Sequence, residues 1–540
     1  MKRNFHQSAT EEICRRAGQI KSLQAELLCL VVCGLGLLPG ISLAAAQSSG
    51  GVRVDEQNGS NAIRYRPAYH FSPLTNWIND PAGLIYDGSV YHMFYQYNPY
   101  GDQWGHMSWG HAVSNDLARW QEMEPALVEQ NGIGIFTGSA VLDKHNTSGF
   151  GAKDNPPLVA IYTGDSTGLQ TQNLAYSVDQ GRTWTRYASN PVLDLHEPDF
   201  RDPMVFWYAP TKHWVMVVSL ALKHRILFFT SIDLKTWKRS SEFGPAGANA
   251  APNWECPNLF ELPVSNRPGM SQWVLEVGVG DNGPAGGSAG QYFVGSFDGT
   301  TFTNSNPDSR TLWVDYGADM YALQSWSNAP DGRRVATAWM DNWRYANRLP
   351  TSPWRGQMIF PRELTLVDTK EGIRLKQQPA ASLSALRHEH QLLRNATWAD
   401  LKKLLTSKPW PETMEIVADL EAGKAEEFGI DLRKGESYAT RVGYDTQWQE
   451  LYVDRTHTGD LVVHPQFASR QSSPLALQDG HLRLHILLDR ASIEVFAADG
   501  LVTLTDLIYP RPEDRGMDLY ARGPEPHVNT LEIWTLRTER

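Results

Sequence analysis

The distribution of apolar and polar positions along the chain is that of short β-strands. Residues 482–488 read Leu-Arg-Leu-His-Ile-Leu-Leu, with an apolar residue at every even position. This period-two alternation is typical of a strand with one buried face. The apolar runs at 214–218 and 226–230 are typical of strands buried on both faces. Because long apolar stripes with a 3.6-residue period are lacking, the pattern predicts an all-β protein.

An aspartate followed by an aromatic residue recurs four times in the first two thirds of the chain. The copies contain Asp116, Asp179, Asp233 and Asp298, and successive copies are about 60 residues apart. Each lies where a hairpin turn is expected, because an aspartate can close a turn on its own backbone and the aromatic ring can pack into the adjoining sheet. A four-stranded unit at this interval indicates a β-propeller. The segment from about residue 65 to 366 has room for five units, so we expect a five-bladed propeller.

The pattern changes after the phrase Pro361-Arg362-Glu363-Leu364. A partly helical segment follows, and strands then return, with candidates at 414–420, 482–488, 492–497 and 529–536. Several short strands separated by Gly and Asp turns predict an appended β-sandwich. The predicted organisation is a leader (1–46), an N-terminal extension (47–64), the propeller (65–370), a partly helical linker (371–405) and the β-sandwich (406–540).

The first 46 residues have the layout of a secretory signal peptide. A basic stretch precedes the apolar run 27–38, and the small residues 44–46 offer a cleavage site. The apolar run is short for a membrane span. We therefore predict cleavage after Ala46, a secreted or periplasmic protein, and no stable membrane insertion after cleavage. An uncleaved anchor is the alternative.

Cysteine usage separates the leader from the rest of the chain. Cys14, Cys29 and Cys33 lie in the leader, which leaves Cys256 as the single thiol of the exported part. A lone cysteine forms no internal disulfide and no zinc cluster of cysteine ligands. Stability is therefore expected to come from size and packing.

Composition points to a class of ligand. The chain contains 19 Trp, 20 Tyr and 18 Phe and carries a net charge of -11. An acidic chain repels phosphate backbones, so nucleic acid is excluded as an expected partner. Neutral ligands that pack on aromatic faces, sugars above all, fit this composition better.

Three carboxylates occur in unusual local settings. Asp80 lies in Asn-Asp-Pro-Ala-Gly, Asp202 in Arg-Asp-Pro, and Glu255 in Trp-Glu-Cys-Pro-Asn. A proline holds the preceding residue in an extended conformation and so fixes the direction of its side chain. Asp-Pro beside a glycine is also an ordinary turn sequence, and each phrase alone favours that interpretation. The surroundings of Asp80 favour a functional role, because aromatic and amide residues are concentrated there: Trp77, Asn79, Gln96, Trp104, Trp109 and His111.

In this order and at roughly these distances, the three phrases resemble the signature blocks of glycoside hydrolase family 32, the invertase, inulinase and levanase group. Secondary phrases agree, and the last of them is most similar to bacterial levanases and fungal exo-inulinases: 94–99, 109–112, 136–140, 339–345 and 349–356. Residues 489–496 resemble the sandwich domain of that family, so the resemblance covers about 65–540. The family's five-bladed propeller and β-sandwich agree with the architecture predicted from the repeat.

The resemblance implies a role for each carboxylate. Asp80 would be the nucleophile, Glu255 the general acid and then base, and Asp202 a stabiliser that holds sugar hydroxyls. A retaining glycosidase places its two working carboxyls ~5–5.5 Å apart. At that separation both cannot be comfortably ionised, so we expect Glu255 to keep its proton near neutrality and Asp80 to stay ionised, helped by Asn79. Arg201 is expected to contact Asp202 and substrate hydroxyls.

The resemblance also implies a pocket for a terminal fructose, with apolar walls and hydrogen-bonding amides. Its lining residues would be Asn79, Gln96, Trp104, Phe136, Thr137, Arg201 and Trp343. Two positions depart from the family pattern: Ala82 replaces a usual Asn, and Thr137 replaces a frequent Ser. Cys256, next to the acid, is expected to modulate the position of Glu255.

The sequence thus predicts an exported, retaining exo-β-fructosidase that acts on levan, inulin or sucrose without a metal or cofactor. A fructosyltransferase of the same fold remains an alternative, because only the acceptor differs. A non-catalytic sugar-binding propeller is the alternative of another class, but it would be expected to lack at least one of the three carboxylates. Residues 177–184 also resemble the Asp-box of sialidases, which would need an arginine cluster and a tyrosine nucleophile. The oligomeric state and the preferred fructan stay open.

Overall fold

The computed structural model describes residues 64–166 and 168–537. The predicted signal peptide and residues 47–63 of the extension lie outside this part of the chain. The described residues are mainly β-strands, which confirms the all-β prediction, together with one α-helix, α1 (Trp398–Leu405). Short 3-10 helices connect some strands: Ala221–Lys223, Pro330–Gly332, Ala346–Arg348, Ala381–Leu386 and Ala498–Gly500. Among the described residues, no helix has the length and apolar character needed to cross a membrane.

Residues 76–379 form five sheets whose main strands are antiparallel. The first contains β1 (Asn76–Tyr86), β2 (Tyr91–Asn98), β3 (Ser108–Ser114) and β4 (Gln121–Leu127); the second contains β5 (Gly134–Leu142), β6 (Leu158–Ser166), β7 (Leu169–Ser177) and β8 (Thr185–Arg186); the third contains β9 (Phe200–Tyr208), β10 (His213–Leu220), β11 (Arg225–Ser231) and β12 (Lys238–Phe243). The fourth contains β13 (Trp254–Pro263), β14 (Ser271–Val279), β15 (Ala289–Phe297), β16 (Phe302–Asn304) and β17 (Leu312–Trp313), and the fifth contains β18 (Tyr321–Ser325), β19 (Val335–Trp339), β21 (Arg362–Thr369) and β22 (Gly372–Pro379).

The first strands of the five sheets contact one another in the cyclic order β1, β5, β9, β13, β18 and back to β1. The sheets therefore close into a ring, with these five strands innermost. A short strand, β20 (Trp354–Arg355), pairs parallel to β1 and ties the end of this region to its beginning. Strands such as β10, of sequence His-Trp-Val-Met-Val-Val-Ser-Leu, are buried along almost their whole length because they pack between neighbouring sheets.

The recurring aspartates form the turns between the third and fourth strands of four sheets. In the third sheet, Asp233 Oδ1 accepts hydrogen bonds from the backbone N–H groups of Lys235 (2.9 Å) and Thr236 (2.8 Å). The indole of Trp237 then donates to the Leu234 carbonyl at 3.0 Å. The predicted turn chemistry is confirmed, because the carboxylate satisfies backbone donors that the strands leave unpaired.

Residues beyond 386 form two packed sheets, which confirms the predicted β-sandwich. The larger sheet contains β23 (Arg387–Ala396), β24 (Met414–Glu421), β29 (His481–Leu488), β30 (Ser492–Ala497), β31 (Val502–Leu507) and β33 (His527–Leu536). The smaller sheet contains β25 (Glu427–Lys434), β26 (Thr440–Asp445), β27 (Glu450–Asp454), β28 (Arg470–Pro474) and β32 (Gly516–Arg522). Leu, Ile and Val side chains from the inner faces of both sheets form one apolar core.

The segment 371–405, for which a partly helical linker was predicted, contains the 3-10 helix Ala381–Leu386 and α1, and it also contains strands. It contributes β22 to the fifth sheet of the ring and β23 to the larger sandwich sheet, with α1 after them. Strand β23 has an edge position and mostly exposed side chains. Its sequence therefore lacks the apolar alternation by which a strand is recognised, and only its backbone pairing with β33 makes it one.

A buried polar network joins the ring to the sandwich. His70, which precedes β1, contacts Asp489 through Nδ1 and Glu494 through Nε2, both at 2.8 Å. Arg362, at the start of β21, donates to Glu494 Oε2 from Nη2 (2.6 Å) and from Nε (3.1 Å). All of these side chains are fully buried. The sequence segments 361–364 and 489–496 therefore lie on opposite sides of one interface.

Candidate active site

A one-residue β-bulge interrupts the innermost strand of each of the five sheets. At every bulge, two residues of the inner strand lie opposite one residue of the neighbouring strand, which bends the strand and changes the direction of the side chains. The bulged pairs are Asn79 and Asp80, Phe136 and Thr137, Asp202 and Pro203, Cys256 and Pro257, and Ala322 and Leu323. The first four bulges contain five of the ten predicted site residues, and Arg201 and Glu255 directly precede two of these bulges.

The local sequences suit these bulges. Asp202, Cys256 and Ala322 adopt φ angles of 66°, 50° and 56°. A left-handed conformation is costly for a residue with a side chain and is found mostly where the surrounding fold enforces it, often at functional sites. The prolines that follow Asp202 and Cys256 are compatible with the strand because a bulge interrupts the ladder of backbone hydrogen bonds.

All ten residues predicted for the site line one cavity of about 320 Å³. They are Asn79, Asp80, Gln96, Trp104, Phe136, Thr137, Arg201, Asp202, Glu255 and Trp343. Three further lining residues were not predicted: Met107, Gln170 and Asp199. The three carboxylates come from three sheets, so only closure of the ring brings them together.

Asp80 is buried, and its two oxygens have different surroundings. Oδ2 accepts hydrogen bonds from Thr137 Oγ1 (3.0 Å) and from the Cys256 thiol (3.3 Å). Oδ1 is buried and accepts no well-formed hydrogen bond from the described residues. Burial raises the pKa of Asp80, and the charge of Glu255 adds to the rise, while the hydrogen-bond donors oppose it. Burial therefore works against the ionised Asp80 that the mechanism needs, while the hydrogen bonds favour it, and the expectation that Asp80 stays ionised remains a prediction.

Asp202 is buried beside the same thiol. Its Oδ2 accepts a hydrogen bond from the backbone N–H of Cys256 at 3.0 Å, and the Cys256 Sγ lies 3.6 Å away. Burial raises the pKa of Asp202; Arg201 opposes this rise, whereas the charges of Glu255 and Asp80 add to it. Burial also raises the pKa of the Cys256 thiol, which therefore stays protonated and can donate. The thiol thus contacts the two aspartates, whereas the sequence suggested an influence on Glu255.

Glu255 is held by Arg201 and Tyr321. Arg201 donates to Glu255 Oε1 from Nε (2.9 Å) and Nη2 (2.7 Å), and the Tyr321 hydroxyl donates to Oε2. The Arg201 Nε lies 4.0 Å from Asp202, so its main partner is Glu255 rather than the predicted Asp202. The direction of Arg201 is fixed by Asp199, whose Oδ1 accepts from Nη1 at 2.9 Å. Neither Tyr321 nor Asp199 belongs to one of the sequence phrases from which the site was predicted.

The remaining lining residues supply aromatic walls and an available donor. Trp343 packs against Trp339, with ring centroids 4.7 Å apart, and Trp104 lies edge-on to Phe136 at 6.3 Å. Gln96 is buried, and its Nε2 has no hydrogen-bond partner among the described residues. An apolar wall with an unpaired amide donor is the arrangement that suits the C–H face and the hydroxyls of a sugar.

The chemistry that this geometry permits is acid–base and nucleophilic. Two carboxylates that line one cavity can act on the two sides of one bond, and a third can stabilise positive charge that develops on a ring. The described residues contain no cluster of three or more His, Cys, Asp or Glu side chains arranged to hold a metal ion.

Sequence comparison relates both parts of the chain to one family. Residues 70–379 match the glycosyl hydrolases family 32 N-terminal domain, and residues 382–535 match the glycosyl hydrolases family 32 C-terminal domain. The chain is 47% identical over 479 residues to a levanase of Bacillus subtilis (strain 168), covering 88% of this chain and 70% of the levanase.

Structural comparison gives the same result. The crystal structure of exo-inulinase from Aspergillus awamori superposes with a TM-score of 0.81 at 37% identity, covering 88% of this chain and 98% of that one. A β-fructofuranosidase from Schwanniomyces occidentalis, complexed with fructosyl-erythritol, superposes with a TM-score of 0.80 at 33% identity, covering 88% and 99%.

Proposed function

The chain belongs to glycoside hydrolase family 32, and from this membership we propose that it is a retaining exo-β-fructosidase. It hydrolyses terminal non-reducing β-D-fructofuranosyl residues of fructans such as levan and inulin, and sucrose is a further substrate. The observation that carries the proposal is the convergence of Asp80, Asp202 and Glu255 from three sheets on one cavity. The relatives named levanase and exo-inulinase support the same class of substrate.

The reaction follows from the position of each carboxylate. Asp80 Oδ1, which accepts no hydrogen bond from the described residues, attacks the anomeric carbon. Glu255 gives its proton to the departing oxygen, so the C–O bond breaks as the enzyme–fructosyl ester forms. Glu255 then takes a proton from water, which attacks the same carbon, releases fructose and regenerates the Asp80 carboxylate.

Asp202, Arg201 and Tyr321 have supporting roles. The carboxylate of Asp202 holds sugar hydroxyls, and its negative charge stabilises the oxocarbenium-like transition state. Arg201 and Tyr321 hold both oxygens of Glu255, which fixes the direction of its proton transfer. The tryptophan walls exclude water from the first step, and Gln96 is available to bind a hydroxyl.

Cavity size and ring architecture support exo action. A volume of about 320 Å³ is at the low end of the ~300–1,000 Å³ range of ligand pockets, so the site suits a terminal sugar better than a length of chain. We also infer that the five sheets are the five blades of a propeller, that this propeller, which extends through β22, is the catalytic domain, and that the sandwich domain begins with β23. Relatives described as extracellular support export through the predicted signal peptide.

Product analysis tests the proposal. The purified protein is incubated with levan, inulin and sucrose, and the products are separated by chromatography. Free fructose as the sole early product from a fructan supports exo hydrolysis. A ladder of oligosaccharides would instead establish endo action, and products longer than the substrate would establish the fructosyltransferase alternative.

Two substitutions test the assignment of roles. Asp80→Asn and Glu255→Gln should each lower kcat by about 10³-fold or more while the protein remains folded, because each removes a group that forms or breaks a bond. Glu242 is an exposed carboxylate of β12. The variant Glu242→Gln is therefore the matched control and should keep full activity. Near-normal activity of either pocket variant would refute the proposed mechanism.

A further inference from the structure

A second cavity, of about 400 Å³, lies on the same inner strands but away from the catalytic carboxylates. On β9, Asp202 lines the catalytic cavity and Phe206 lines the second one. The two residues are four positions apart, which corresponds to about 13 Å along a strand. On β13, Glu255 lines the catalytic cavity and Phe260 the second. The second cavity is therefore at the opposite end of the ring of inner strands, and the proposed reaction does not use it.

The walls of this second cavity are aromatic. Phe206 packs against Trp273 with ring centroids 5.6 Å apart, and Trp207 packs edge-on against Trp214 at 5.1 Å. Phe206, Trp207 and Trp273 are only partly buried, so their faces are available to a ligand. Neighbouring rings support one another, which gives a preformed wall that needs no rearrangement on binding.

One cation at this cavity has no ionic partner in the described part of the chain. The Arg334 guanidinium lies 5.2 Å from the centroid of the Phe260 ring, and its Nη1 has only long contacts of 3.4 Å, with Ser325 Oγ and the Trp326 carbonyl. Burial lowers the pKa of Arg334 to about 10, and no carboxylate opposes this effect. The adjacent Arg333, by contrast, is paired with Glu363 at 2.9 Å.

The other charged groups of the lining leave this positive charge uncompensated. The Lys144 ammonium, which adds a second positive charge, donates to Asn328 Oδ1 at 2.7 Å. Glu261 is the acidic residue of the lining, and its Oε1 accepts from the Ser271 hydroxyl. A partly buried guanidinium without an ionic partner is stabilised most by an anion, since a charge-assisted hydrogen bond is about twice as strong as a neutral one.

We propose that the second cavity is a binding site for a small anion with an aromatic body, such as an aryl carboxylate or aryl sulfonate. The charged group pairs with Arg334, and the aromatic body packs against the wall formed by Phe206 and Trp273. A neutral sugar would use the aromatic wall but leave the guanidinium unpaired. The site is thus distinct from the fructan pocket in both position and ligand class.

Isothermal titration calorimetry of the full chain with naphthalene-2-sulfonate tests this inference. We expect saturable binding with one site per chain, and an affinity at least about tenfold lower for the neutral naphthalene-2-sulfonamide. Absence of saturable binding, or equal affinity for the two compounds, would overturn the proposal. Displacement of the sulfonate by short fructan oligosaccharides would also overturn it, because the cavity would then be a sugar site.

Variants locate the binding site. Arg334→Gln should lower sulfonate affinity about tenfold and leave sulfonamide affinity unchanged, whereas Arg333→Gln should change neither. Arg334→Lys keeps the charge and should retain most of the sulfonate affinity. Fructan hydrolysis should be unaffected in all three, which also reports correct folding. Unchanged sulfonate affinity in folded Arg334→Gln would place the ligand elsewhere and refute the assignment.

Discussion

Three carboxyl groups share one largely desolvated site, so their titrations depend on one another. Burial and the neighbouring charge raise the pKa of Asp80, while interactions with Asn79, Cys256 and Thr137 oppose the rise. Asp80 must be ionised to attack carbon. The acid limb of the activity profile is therefore set by the balance between burial and these donors.

Thr137→Val tests this balance. The change keeps the shape of the side chain but removes the donor 3.0 Å from Asp80 Oδ2. The pKa of Asp80 should rise further, so less of the group is ionised at a given pH and the acid limb of kcat/KM should move to higher pH. We expect kcat near neutrality to fall about tenfold. The measurement is the pH dependence of fructose release.

Thr137→Ser is the control for this prediction. It keeps the hydroxyl and should retain a profile close to that of the unchanged protein. A Thr137→Val profile that coincides with the Thr137→Ser profile would mean that the hydrogen bond does not set the ionisation of Asp80.

Single residues could be predicted where they belong to a short phrase. Asp80 and Asp202 each directly precede a proline, Glu255 lies two positions before one, and all three line the cavity. Asp199 and Tyr321 could not be found this way. Asp199 lies in the loop before β9 and Tyr321 in the fifth sheet, so folding alone brings them to Arg201 and Glu255. The partner of Arg201 was missed for the same reason, since Glu255 belongs to the next sheet of the ring.

At the scale of elements, the turns were predictable and the bulges were not. An aspartate turn is local, so its sequence signature lies within a few residues. A bulge is a property of two strands, and a single strand does not contain the register of its partner. The fifth sheet illustrates the limit of the repeat: its outer turn uses the Thr369 hydroxyl, which donates to the Gly372 carbonyl at 2.7 Å, and has no aspartate–aromatic pair.

Asp233→Ala tests the structural role of the repeated turns. It removes the acceptor of two backbone N–H groups and should lower the free energy of unfolding by about 1 kcal/mol. Because the turn is on the outer side of the third sheet, kcat should not change. Denaturant unfolding and fructose release measure the two quantities.

Asp233→Asn retains one acceptor oxygen and should recover part of the lost stability. Loss of activity in a folded Asp233→Ala protein would show that the turn communicates with the pocket, contrary to this expectation.

For the whole molecule, the buried network between ring and sandwich is the main feature that sequence reading did not anticipate. Burial alone would lower the pKa of His70, but hydrogen bonds with Asp489 and Glu494 raise it to about 9. The charged imidazole therefore contributes stability that is fully present below its ordinary pKa of 6.5 and is lost as the pH rises through about 9. His70 and Glu494 are 424 positions apart, beyond the range of any local pattern.

His70→Gln should lower the free energy of unfolding by about 3 kcal/mol near neutrality, because two buried carboxylates lose a charged partner. The difference from the unchanged protein should shrink between pH 7 and pH 10, where His70 itself loses its proton. Thermal unfolding across this pH range measures both effects. His390→Gln, which removes an exposed contact with Glu532, is the control and should cost less than about 1 kcal/mol. A pH-independent difference would contradict a charged His70.

Ring closure also determines when activity can begin during synthesis. The carboxylates lie on β1, β9 and β13, but β1 finds its neighbours on both sides only after β18 and β20 have been made. A ribosome-bound chain that ends between residues 255 and 321 would hold all three carboxylates yet lack β18 and β20, which close the ring. Enzyme activity would therefore appear late in translation, only after the last inner strand has docked.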